Sequence, residues 1–125
     1  MHLMRHLLLL LTVSLLAAAI ALGADVTGTW SGQMPTRDGE MRDVTFKLKQ
    51  AGTALTGAMS AFDNDVPIAD GKIDGDKLSF SVTLDFGGNS FKLLFTGTVK
   101  GNEIQMTRQR EGTDLKQNFT VKRGS

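Results

Sequence analysis

Apolar and polar side chains alternate along most of this chain. Between Phe91 and Lys100 one face carries Phe91, Leu93, Phe95, Gly97 and Val99 and the other Lys92, Thr96, Thr98 and Lys100, with Leu94 out of step. Val44, Phe46 and Leu48 alternate with Thr45, Lys47 and Lys49, and Leu78, Phe80, Val82 and Leu84 alternate with Lys77, Ser79, Ser81 and Thr83. A period of two is the pattern of a strand with one face buried. No helical period is sustained beyond the first two dozen residues. The pattern therefore predicts an all-β domain with strands at about 25–34, 41–50, 54–61, 66–73, 77–84, 89–100, 103–110 and 115–123. In the fourth, Ile68 and Ile73 have opposite parity. They reach one core only if a bulge near Ala69 to Gly71 shifts the register.

An internal repeat supports this division. Gly71-Lys-Ile-Asp-Gly-Asp-Lys-Leu-Ser-Phe80 aligns without gaps on Gly97-Thr-Val-Lys-Gly-Asn-Glu-Ile-Gln-Met106. The shared pattern predicts a hairpin whose Gly and Asp or Asn supply the positive φ angles of a tight turn. Asp74 and Asp76 belong to that turn, and the segment lacks the spaced ligands and distal Glu of a calcium loop. The predicted architecture is an eight-stranded antiparallel up-and-down barrel, with a two-sheet sandwich as the competing arrangement.

In a meander, alternate connections share one end. Tight connections near Ala51 to Thr53, Asp74 to Asp76 and Gly101 to Asn102 would lie together. Longer ones at Pro35 to Glu40, Phe62 to Asp65, Asp85 to Gly88 and Glu111 to Asp114 would lie at the other end. This second rim gathers Asp38, Glu40, Asp43, Asp63, Asp65, Asp85, Glu111 and Asp114, eight of the chain's 13 acidic residues. It is either a binding rim or a set of solvated loops.

The first residues change the picture of what the domain can do. Arg5, the apolar run Leu7 to Leu22, and the small residues Ala21, Gly23 and Ala24 have the order of a secretory signal helix, with cleavage expected after Gly23. Residues 1–23 are then the signal peptide and 24–125 a single barrel domain, exported to the periplasm or outside the cell. An uncleaved membrane anchor is the alternative. Both histidines, His2 and His6, leave with the signal, so the mature domain has no His, Cys or Tyr. It lacks the usual general base, the thiol nucleophile and the imidazole and thiolate metal ligands, and no cofactor or metal is expected. Loss of Arg5 brings 14 Lys and Arg level with 13 Asp and Glu, a balance that argues against nucleic acid. Without disulfides, stability must come from the packed core.

Gly28-Thr29-Trp30, opening the first strand of an eight-strand meander, resembles the start of the calycin barrels, the group of lipocalins, fatty-acid-binding proteins and avidins; the lipocalin T-D-Y element is absent. A resemblance over nearly the whole mature chain is to small exported bacterial proteins. It is carried by Gly28-Thr-Trp-Ser-Gly32, Phe46-Lys-Leu-Lys-Gln-Ala-Gly52, Leu55-Thr-Gly57, Gly71-Lys-Ile-Asp-Gly-Asp76 and Phe95-Thr-Gly-Thr-Val-Lys-Gly-Asn-Glu-Ile104. That likeness implies fold and export and brings no active site. The calycin likeness further implies that Trp30 packs against an Arg near the chain's end, and Arg108 and Arg123 both have inward parity.

An eight-stranded barrel holds side chains or one small ligand. Trp30, Phe46, Phe80, Phe91, Phe95 and Phe119 are expected to fill much of it. Arg108, Arg110 and Gln117 point inward near the upper half and need partners, either one another and the rim carboxylates or a ligand that is anionic or rich in hydroxyls. The expected function is a non-catalytic binding module for a small molecule or saccharide, with Trp30, Arg108, Arg110 and Gln117 as contacts. A protein-binding or inhibitory domain using the long loops, Phe62 and Phe86 is the alternative. A glycosidase built on Asp63 and Asp65 or Asp38 and Glu40 is the least favoured class.

Overall fold

The computed structural model describes residues 25–36, 38–61 and 64–124; the expected signal segment, Phe62 and Asp63 lie outside them. Nine strands are formed: β1 Gly28–Pro35, β2 Met41–Ala51, β3 Ala54–Ala61, β4 Asn64–Pro67, β5 Ala69–Asp74, β6 Lys77–Phe86, β7 Asn89–Lys100, β8 Glu103–Arg110 and β9 Lys116–Arg123. β4 and β5 both lie along β3, interrupted at Ile68, and together make one stave of an eight-stranded antiparallel barrel. The ring closes because β1 pairs with both β2 and β9, and β2 pairs with β3. A sandwich would leave these sheet edges apart.

The bulge falls where parity requires it. Ala69 pairs with Ser81 and Lys72 with Ser79, so β5 spends one more residue than β6, and Asp70 in that step takes a φ of 54°. This brings Ile73 into the core and leaves Ile68 packed against its edge. The ladder to β6 stops at Ala69, and β4 is hydrogen-bonded to β3 alone.

The turns depart from expectation in two ways. Gly75 and Gly101 take φ of 61°, but Asp76 and Asn102 do not take positive φ. With glycine alone at the first central position, these hairpins follow the type II′ pattern. At the other end, two connections read as long are short. Ala61 pairs with Asn64, and Phe86 with Asn89 across Gly87 and Gly88, whose φ values are 57° and 85°. The strands simply pair further than the alternation showed. That end therefore has two extended loops, 36–40 and 111–115.

The alternation does set what is inside. Leu93, Phe95 and Val99 are buried and Phe91 packs at the core's edge, while Lys100 and Thr96 face solvent. Across the middle, the Phe46 ring centroid lies 5.4 Å from Phe80, 5.5 Å from Phe95 and 6.4 Å from Phe119, and Phe80 stacks on Phe95 at 5.2 Å. Such edge-on and offset contacts add about 0.5–1.5 kcal/mol each beyond area burial. Aromatic rings thus occupy the barrel's waist. Truncating the shared ring, Phe46→Ala, is expected to cost about 3–5 kcal/mol of stability, measured by chemical denaturation.

Candidate functional site

The four residues singled out for binding lie at two different ends of the barrel. Trp30 sits low on β1, at the end with the tight hairpins, and is fully buried. Its indole N–H donates to the Val26 carbonyl at 2.9 Å. The Arg123 guanidinium lies over the indole, 4.3 Å from the ring centroid, and donates to the carbonyls of Thr27 and Asp25 at 2.9 Å each. Arg123 therefore takes the place for which Arg108 had equal parity. The choice follows from strand order, because β9 and not β8 lies beside β1.

This floor explains the first residues of the domain. Asp25 to Thr27 do not extend β1 but turn beneath the barrel, with Val26 buried and its N–H bonded to the Gln50 side chain at 3.0 Å. Gly28 has a φ of 144°, and a Cβ there would meet Arg123 Nη1 at 3.1 Å. The glycine of Gly28-Thr29-Trp30 thus leaves room for the cation that covers the tryptophan. Backbone and hydroxyl hydrogen bonds from Thr27, with Arg123 nearby, hold the Asp25 carboxyl below its ordinary value of 3.8.

The opposite end has different chemistry. β8 places Arg108 across from Phe95 on one side and Gln117 of β9 on the other, one step above Met106 and Phe119. Arg108 Nη1 donates to Gln117 Oε1, and the Gln117 amide donates to the Thr36 carbonyl at 3.1 Å, tying the mouth to the β1–β2 loop. Arg108 Nε is buried with no hydrogen-bond partner among the described residues. Arg110, one step higher, lies over the Phe91 ring at 4.7 Å. Burial, with the Arg110 charge adding to it, pulls the Arg108 pKa below the usual arginine value; the guanidinium stays charged at neutral pH all the same.

The rim carboxylates do not answer these cations. Among the described residues neither Arg108 nor Arg110 has a carboxylate oxygen within 4.0 Å. Glu40 pairs with Arg42 and Glu111 with Lys92, each at 3.8 Å, while Asp65 and Asp85 accept from Ser60 and Ser90. Of the internal pairing that parity allowed, only Arg108 with Gln117 is present among the described residues. Beside the mouth, Thr83, Ser90, Phe91, Lys92, Arg110 and Glu111 line a shallow hollow of about 340 Å³. The site thus comprises Arg108, Arg110 and Gln117, with Thr36 and Phe91 added by the fold and Trp30 left at the far end.

Comparison with family models, curated proteins and solved structures gives no match. The chemistry of the mouth must therefore speak for itself. It presents two guanidinium groups, one partly buried and incompletely bonded, over an aromatic floor.

The two ends are expected to respond oppositely to mutation. Arg123→Leu removes two charge-assisted hydrogen bonds and a cation–π contact and is expected to cost about 2–4 kcal/mol, with a red shift in the emission of Trp30, the sole tryptophan. Arg108→Met with Gln117→Leu removes a partly buried charge together with its partner and is expected to raise stability by up to about 1 kcal/mol. Thermal denaturation compares the two. Because the folded Asp25 pKa is depressed, its contribution is present above pH 3.8 and lost as pH falls below that value. Asp25→Asn is expected to flatten that part of an acid-denaturation profile.

Proposed function

We propose that this protein is an exported, non-catalytic barrel that binds a small molecule or saccharide at the open end. The observation that carries the reading is the Arg108 guanidinium: partly buried, bonded to Gln117, with neither a partner for its Nε–H nor a carboxylate to balance it among the described residues. An arrangement that costs stability and has a ready apolar replacement is characteristic of a site kept for binding. Arg110 and Phe91 supply the rim of that site, and Trp30 serves the floor. The architecture is read as calycin-like, because the closed barrel and the Trp30–Arg123 contact are what that resemblance implies. Export rests on the sequence of residues 1–23, and a bacterial origin on the resemblance to small exported bacterial proteins.

One observation favours a second reading, a domain that binds a protein partner. Met41 and Leu115 are large exposed apolar residues, 53% and 61% accessible. Met41 follows one extended loop and Leu115 ends the other, at the same rim, where apolar anchors suit a macromolecular interface. The Phe86 side chain and Phe62 lie outside the described atoms.

Native mass spectrometry of protein purified from its own host separates the two readings. A retained small mass that is lost in Arg108→Met/Gln117→Leu is the expected result. A co-purifying polypeptide lost in Met41→Ser/Leu115→Ser would replace the first reading by the second.

A further inference from the structure

The mouth offers hydrogen-bond donors in excess of acceptors. A guanidinium has five N–H donors and no acceptor. Arg108 uses one of its nitrogens on Gln117, while Nε lies beneath the surface without a partner among the described residues. The acceptors close by are already engaged: Gln117 Oε1 by Arg108, and the Thr36 carbonyl by the Gln117 amide. The charge of Arg110 sits one inward position above, against the face of Phe91.

A neutral hydroxyl would accept a hydrogen bond here but would leave two like charges side by side. An oxyanion meets both needs, since it accepts several N–H bonds and offsets the charge of the partly buried Arg108 and of the exposed Arg110 beside it. We infer that the occupant of this mouth carries a carboxylate or phosphate group, which Arg108 and Arg110 take up together. This rests on the small-molecule reading above and narrows it to an anion.

The same geometry sets how far the anion enters. Across from Arg108, Phe95 is wholly buried, and Phe119, one inward step below, is nearly so. The charged group stops at the level of Arg108, and the remainder of the molecule stays at the rim, beside the hollow lined by Phe91, Arg110 and the Lys92–Glu111 pair, among others. Because Arg108 Nε is covered, the anion reaches it by drawing the guanidinium toward the mouth. Gln117 then loses its present donor and with it the link that ties β9 to Thr36 is loosened. Binding at Arg108 is therefore coupled to the β1–β2 loop.

The test is a ¹H–¹⁵N NMR titration of the protein with inorganic phosphate, with acetate and with glucose, at constant ionic strength set by chloride. The signals followed are the Arg108 Nε–H and the Gln117 side-chain amide. The expected result is a saturable shift of both with phosphate or acetate and none with glucose. The stronger of the two anions identifies the charged group. Arg108→Lys keeps the charge but loses the fork and is expected to weaken binding about tenfold; Arg110→Leu is expected to weaken it by a similar factor. A shift with glucose and none with either anion would overturn the anion while leaving a small-molecule site standing. Anion shifts confined to surface lysines would overturn the inference too. No shift with any probe, together with no retained mass in the native spectrum, would remove both readings.

Discussion

The clasp between the first and last strands is the constraint on which the barrel depends. An antiparallel meander has two free edges until its ends meet, and here β1 supplies the meeting place by pairing with β2 on one side and β9 on the other. Only a short ladder joins β1 to β9, from Trp30 opposite Arg123 to Gly32 opposite Val121. Side-chain chemistry reinforces it. The Arg123 guanidinium covers Trp30 and grips the turn at Asp25 to Thr27, and the Gly124 N–H reaches the Thr29 carbonyl. Closure thus joins residues nearly a hundred positions apart, a loop whose ordering entropy must be met by strong contacts.

Between the clasp and the mouth lie the four phenylalanines of the waist. Because they fill the cross-section, the two ends of one barrel have become separate environments. The arginine at the floor has an aromatic face and two carbonyls. The arginine at the mouth has an amide and a second cation nearby. Similar side chains of the same inward parity thereby serve different ends, structural in one case and open to a ligand in the other. Position along the barrel axis, more than residue type, decides which.

Strand positions, the bulge and the filled interior were legible because each follows from short-range alternation. Ile68 and Ile73 carried the bulge in their parity alone. Local pattern was blind where pairing between distant segments decided the outcome. Parity admitted both Arg108 and Arg123 as partners of Trp30, and only the adjacency of β9 to β1 chose between them. Parity also placed Trp30 with Arg108, since it reports which way a side chain faces and nothing about depth. The Gly87-Gly88 connection looked long because Asp85 and Phe86 read as loop, whereas they continue the ladder to Ser90 and Asn89. The bond from Gln117 to Thr36 spans 81 positions, and no periodicity marks it.

The seam beside the bulge has a mechanical consequence. Above the Ala69–Ser81 pair, β4 follows β3 while β6 follows β7, so no rung crosses between them. Pro67, with no N–H to give, stands on that side of β4. The β1–β9 ladder also ends below the mouth, at Gly32 and Val121, but there the Gln117–Thr36 bond bridges the gap, and so the cylinder resembles a cuff with one unbridged slit at its lip. Strain applied at the lip can widen the slit without unpairing a strand, which gives the upper barrel a compliance that its sealed lower half lacks.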